Sequence, residues 1–320
     1  MVTFRTTHTL RRELAGALLA GLFVSGVLLA FTLAQAAVAG DLPAIGRNLF
    51  VVLGSGVFSL AWYAPFFLAV VLVVGRGATR RTLAAGVALV YVAHLALAVV
   101  QGRFGPAFYT LTPRVLAEPL PQVARFLGIA VAYWIAYDGG YESITLEAPA
   151  HPLFAVVTDE RLAPDLEVGR GVVAAALAGL IAVTGSLAAH AVQEALAGSA
   201  RFAVPVAVST AGIPVEQAPT EWVFDTTFVL AVLFVIGPKT TPRTVLKGLG
   251  VVFGVGAAVR VAPALLPPSR PLELWDPSGP LLAPIGDAVF LLGIALAVWF
   301  ALRGGVERVR SRDSGRPAPE

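Results

Sequence analysis

Long apolar runs separated by short polar stretches set the pattern of this chain. The runs lie near 14–39, 48–74, 82–100, 122–137, 171–193, 221–236, 244–265 and 281–301. A hydrocarbon core of about 30 Å takes about 20 apolar residues of α-helix, so the pattern predicts eight membrane-crossing helices, the fourth and sixth of them short. Placing the N-terminus in the cytoplasm puts 16 of the 23 basic residues in inner segments: Arg5, Arg11, Arg12, Arg76, Arg80, Arg81, Arg161, Arg170, Lys239, Arg243, Lys247, Arg303, Arg308, Arg310, Arg312 and Arg316. Six others fall in outer segments and Arg260 falls inside a helix. The positive-inside rule then predicts that both termini are cytoplasmic. The first run, with its basic flank and the small-residue stretch AQAAVAG, has features of a cleaved signal peptide, but it is too long for one.

The apolar pattern also repeats. Residues 127–142 (LGIAVAYWIAYDGGYE) and 292–307 (LGIALAVWFALRGGVE) share ten identities without a gap, including Trp134 with Trp299 and Glu142 with Glu307. Residues 66–82 and 228–244 share nine of seventeen, ending in Thr-x-Arg-Thr, and 19–40 and 177–198 share ten of twenty-two. The first run thus has an internal twin and is read as retained. The offsets are 158, 162 and 165, so the second copy gains residues only in the predicted outer loops. Self-similarity on this scale marks a duplicated supersecondary unit. The expected fold is an all-α integral membrane protein of eight transmembrane helices, built as two parallel, same-orientation four-helix repeats. An even number of spans per unit implies a pseudo-two-fold axis along the membrane normal. The repeats are expected at 1–142 and 171–309, with an acidic cytoplasmic linker at 143–170 and a disordered cytoplasmic tail at 310–320.

Composition agrees with a lipid environment. Hydrophobic residues make up 57% and charged residues 13%, and mean hydropathy is +0.79. A net charge of +3 gives no footprint for nucleic acid, and the absence of cysteine leaves neither a disulfide framework nor a thiolate metal site. Arginine outnumbers lysine 21 to 2, a bias that suggests a prokaryotic source and hence a multi-pass protein of a prokaryotic cell membrane.

Against a doubled apolar scaffold, polar residues that differ between the copies stand out. By the offsets, His190 matches Thr32, Asp225 matches Tyr63, Asp287 matches Gln122, Arg260 matches Ala98 and His94 matches Gly256. Counting about 1.5 Å per residue from the outer helix ends puts His94, His190, Asp225, Arg260 and Asp287 about 5 to 9 Å below the outer boundary. A charge at such depth costs at least about 2.5 to 3.5 kcal/mol, so these groups are expected to face one another or a watery cavity. Glu194 shares a face with His190 at i+4, and Tyr91 and Gln101 share one with His94. The candidate polar site is therefore Asp225, Arg260, Asp287, His94, His190 and Glu194. The competing reading makes Asp225 and Arg260 a structural ion pair or groups reaching into headgroups, and His94 a hydrogen-bonded packing residue.

The stretch 206–222 is a second asymmetry. Pro214, Glu216, Pro219 and Glu221 interrupt its apolar run, which fits either a broken segment near a transport site or an ordinary outer loop with an apolar lid. Gly248, Gly250 and Gly254 fit close helix packing better than a nucleotide loop, because no strand precedes them. Gly139, Gly140, Gly304 and Gly305 are expected to end helices, and the Thr-x-Arg-Thr loops to anchor topology or touch headgroup phosphate. HExxH, GxSxG and Walker sequences are absent, and no cofactor, metal or enzyme activity is expected. The sequence favours a secondary transporter or permease of a small solute, with the lipid bilayer as surroundings. It leaves open a non-catalytic scaffold or complex subunit and, third, an intramembrane enzyme.

Overall fold

The computed structural model describes residues 10–38, 40, 43, 46, 49–104, 119–137, 167–194, 212–237, 241–264, 283–302 and 304. For 49–52, 55, 98–104, 119–120, 186, 189–194, 212–220, 256–257, 259–264 and 283–285 it describes the backbone alone. The described regular structure is entirely helical. It comprises α1 (Leu10–Val38), α2 (Leu49–Arg76), α3 (Arg80–Phe104), α4 (Pro119–Tyr137), α5 (Val168–Glu194), α6 (Gly212–Ile236), α7 (Pro242–Ala264) and α8 (Ala283–Leu302). Four segments are long and apolar enough to cross a membrane: Leu10–Val38, Gly56–Arg76, Arg80–Leu97 and Val168–Gly185. Gly286–Leu302 is a shorter apolar helix. These segments support membrane association. The linker and tail expected at 143–170 and 310–320 lie outside the described residues, apart from 167–170.

Helix starts follow local chemistry. Proline stands in the first turn of α4 (Pro119, Pro121), α6 (Pro214), α7 (Pro242) and α8 (Pro284), where a backbone N–H has no intrahelical partner to lose. α3 and α7 open with reciprocal threonine caps. The Thr82 amide donates to Thr79 Oγ1 at 3.2 Å while the Thr79 amide donates to Thr82 Oγ1 at 2.9 Å. The Thr244 and Thr241 pair repeats this at 3.2 and 2.9 Å. The two Thr-x-Arg-Thr loops are therefore capping boxes that satisfy orphan amides at a tight reversal. Gly77, with φ 75°, follows α2, and Gly304, with φ 60°, follows α8; both take the left-handed conformation that ends a helix.

Packing arranges the eight helices in two shells. α2, α4, α6 and α8 form a closed inner ring in which each touches the next: α2 on α4, α4 on α6, α6 on α8 and α8 on α2. Each groove of the ring is covered by one outer helix. α1 lies on α2 and α4, α7 on α4 and α6, α5 on α6 and α8, and α3 on α8 and α2. Close approach comes from small residues, as packing without a water-driven hydrophobic force requires. A Cβ on Gly21 would stand 3.0 Å from Leu60 and 3.2 Å from Ala64, and one on Gly16 or Gly293 would stand 3.1 Å from the carbonyl of Ala132 or Ala178.

The outer shell is apolar outward and small inward. On α1, Leu14, Leu18 and Leu22 are exposed, Leu18 at 49%, while Ala17, Ala20 and Val24 are buried. On α5, Val172, Val173, Leu177 and Leu180 are exposed while Ala174, Ala175 and Ala178 are buried. Large aliphatic side chains facing outward suit a hydrocarbon solvent, where interfaces are selected for small side chains.

Two expectations change. The stretch taken as interrupted is helical from Gly212, so Glu216, Pro219 and Glu221 lie within α6. Pro214 falls where a missing N–H is harmless, and Pro219 removes only one bond of the ladder. Of Gly248, Gly250 and Gly254, only Gly248 meets a neighbour, the ring of Phe126; among the described residues nothing lies within 4 Å of a Cβ on Gly250 or Gly254.

Candidate functional site

Polar side chains meet inside the ring where α8 closes against α2. Pro65 within α2 leaves the Ala61 carbonyl without its usual i+4 amide donor. His94, on the outer helix α3, reaches into that turn: its Nε2 lies 2.6 Å from the Trp62 carbonyl oxygen. The imidazole also stacks on the Trp62 indole, with ring centroids 4.2 Å apart and planes at 16°. His94 is fully buried.

Asp287, in the second turn of α8, is the hub. Trp62 Nε1 donates to its Oδ2 at 3.2 Å, and His94 Nδ1 stands 2.9 Å from the same oxygen. The histidine contact is close but off the hydrogen-bond direction, since Nδ1 has no bond of good geometry. Arg125 of α4 places Nη2 at 3.1 Å from Oδ1, and the side chains of Arg125 and Asp287 are 17% and 10% exposed. Trp62 and Arg125 thus bring a donor to each carboxylate oxygen from two other helices. A buried carboxylate is tolerated where such donors replace its lost hydration.

Arg125 is held from its faces as well as its end. Its guanidinium carbon lies 5.3 Å from the centroid of Tyr63 and 5.8 Å from that of Phe66, both on α2. Such contacts suit a delocalised cation withdrawn from water. Asp225 of α6 lies within electrostatic reach of Arg125, and Glu221, one turn earlier, acts in turn on Asp225. All four ring helices therefore contribute a polar or charged group here: Trp62, Arg125, Asp225 and Asp287. Gln122 Oε1 and Arg125 Nε, about one turn apart on α4, have no hydrogen-bond partner among the described residues.

Of the residues singled out by sequence, His94 and Asp287 touch, and Asp225 joins them through Arg125. The side chains of His190, Glu194 and Arg260 lie outside the described residues, and so does an Asp225–Arg260 pair. The cation on Asp287 is Arg125. Sequence reasoning missed Arg125, grouped with the outer basic residues, and Trp62, whose type is common in membrane helices. A signal for Arg125 was present: at the 165-residue offset it aligns with Phe290, so it too is a charge set opposite an apolar residue. Asp287, near the C-terminal end of the chain, finds Trp62, His94 and Arg125 all before residue 143.

Elsewhere, Glu13 at the start of α1 is fully buried with Arg76 Nε at 3.9 Å. Arg170 donates from α5 to the carbonyl of Phe300 at 3.2 Å, near the end of α8 where carbonyls lack intrahelical donors. Among the described residues no group of three His, Cys, Asp or Glu side chains could hold a metal ion. No known protein family, curated protein or solved structure matches the chain.

Proposed function

We propose that the chain is a secondary transporter or permease that carries a small solute through the centre of an eight-span bundle in a prokaryotic cell membrane. Its two halves are parallel four-helix repeats, with both termini in the cytoplasm. The observation that carries the reading is the convergence of Trp62, Arg125, Asp225 and Asp287, one from each inner helix, where the halves meet. Ionisable groups inside a membrane bundle mark pathways more often than they add stability. Gln122 Oε1 and Arg125 Nε offer an acceptor and a donor to a polar solute at the same place.

Packing supports the repeat. Advancing each helix number by four, with α5 to α8 returning to α1 to α4, leaves the set of helix neighbours unchanged. Individual contacts follow: Gly21 meets Leu60 and Ala64, and its counterpart Gly179 meets their counterparts Trp222 and Thr226. Gly86 meets Leu291, and Gly248 meets Phe126, across the two junctions between halves. A site at the interface of such repeats suits rocking of one half against the other.

Purified protein in liposomes under an imposed proton gradient, offered small anionic, cationic and neutral solutes, tests this. One class should enter faster than into protein-free vesicles, and Asp225→Asn and Asp287→Asn should slow it. Absence of uptake for all classes, or uptake unchanged in both variants, defeats the proposal.

A second reading rests on the 10% exposure of Asp287 and its donors on both oxygens. So enclosed a cluster would also serve as a fixed clasp in a membrane scaffold or complex subunit. In that case Asp287→Asn lowers stability and no solute flux exists to change.

A further inference from the structure

Charge gathers at one rim of the bundle, where α1 begins, α2 ends and α3 begins. Arg76 there lies about 21 Å along α2 from Trp62, so the rim is separate from the polar cluster. Three arginines stand on the reversal from α2 to α3, Arg76, Arg80 and Arg81, and all are exposed. Arg11, at the start of α1, is exposed beside them. The only carboxylate of these three helices is Glu13, which is fully buried. Arg76 turns its Nε toward Glu13 Oε1 at 3.9 Å while 55% of its side chain stays exposed, so the buried acid holds a surface arginine in place. Gly77 and the reciprocal cap of Thr79 and Thr82 fix the backbone that carries Arg80 and Arg81.

The two halves differ here. At the 162-residue offset Arg76 and Arg80 align with Pro238 and Pro242, and at the 158-residue offset Arg11 and Glu13 align with Gly169 and Gly171. Orientation in the membrane asks only for basic residues at this end, and both halves have one in Arg81 and Arg243. The added arginines of the first half serve something else. An apolar face runs on from them: Leu14, Leu18 and Leu22 are exposed on α1, and Ala84, Ala88 and Val92, at successive i+4 steps from Arg80, are exposed on α3. α1 and α3 are the outer helices that flank α2. Guanidinium groups above an apolar face match a molecule with an anionic head and hydrocarbon chains, whereas a soluble anion would leave the apolar part unused.

We propose that Arg76, Arg80 and Arg81 bind the phosphate of an anionic glycerophospholipid whose chains lie against the exposed faces of α1 and α3. The site is independent of the permease reading. Full-length protein in a neutral detergent, titrated with phosphatidylglycerol or phosphatidylcholine and followed by native mass spectrometry, tests it. Phosphatidylglycerol should be retained more tightly than phosphatidylcholine. Arg80→Gln with Arg81→Gln should weaken its retention about 25-fold, at about five-fold per arginine, and leaves the Arg76–Glu13 contact in place. Arg243→Gln with Lys247→Gln removes the same charge from exposed positions of the second half and should leave retention unchanged. Excess glycerol phosphate, which has the head without the chains, should not displace the lipid. Equal retention of the two lipids, equal losses in the two double variants, or displacement by glycerol phosphate overturns the proposal.

Discussion

Replacing Asp287 by Asn removes one negative charge and nearly preserves the side chain's volume, so its cost reports the ion cluster rather than a cavity. The carboxylate stands 3.1 Å from Arg125 Nη2, 2.9 Å from His94 Nδ1 and 3.2 Å from Trp62 Nε1. One unit-charge pair at that spacing has a gross attraction of about 5 kcal/mol at an effective dielectric of about 20. Desolvation of both groups offsets much of it in the intact protein, but in Asp287→Asn the cost of burying Arg125 remains without its compensation. Breaking a buried pair from one side costs about 3 to 5 kcal/mol, and Arg125→Gln should cost a similar amount. The double variant removes both buried charges and should be no less stable than either single, a coupling of at least about 3 kcal/mol, at or above the upper end for contacting residues. Unfolding in mixed micelles titrated with a denaturing detergent, followed by circular dichroism, measures all four proteins. Additive losses, or single losses under about 1 kcal/mol as for a solvated surface pair, would refute the buried-cluster account.

The scaffold supplies two more expectations. Gly248→Ala should destabilise by about 1 to 3 kcal/mol, because its Cβ enters the space of the Phe126 ring, and Phe126→Leu in the same chain should recover part of the loss. Equal thermal stability of Gly248→Ala and the parent would show that α7 does not seat on α4 there. Leu18→Arg, on the exposed apolar face of α1, should cost about 2.5 to 3.5 kcal/mol of membrane insertion and lower the yield in the membrane fraction. Replacing Gly250, where nothing lies within 4 Å, by Ala is the matched control for the first, and an undiminished Leu18→Arg yield would show that this face does not meet lipid.

Much of the architecture could be read from residue order because its causes are local or periodic. An apolar run long enough to need a helix in lipid is visible in one dimension, and so are the two threonine caps, each closed within four residues. At the 158-residue offset Gly21 aligns with Gly179, and the two meet residues that also align, Leu60 and Ala64 for one and Trp222 and Thr226 for the other. The start of α6 was less legible: Pro214, Pro219 and two glutamates read as an interruption, but hydropathy does not register that a helix tolerates proline in its first turn.

The site was legible only as a set of suspects. Charge set within apolar runs marked His94, Asp225 and Asp287, because the cost of burying it does not depend on knowing the partner. Which groups meet was decided by closure of the ring, which brings Trp62 within 3.2 Å of Asp287 across 225 positions of sequence. Closure also drew Arg125 inward from what looked like the membrane surface and set His94 between the Trp62 carbonyl and a carboxylate. Residue order fixes how often a polar group must find a partner. The crossing of helices from both halves chooses the partner, because that choice depends on distances that exist only once the bundle is packed.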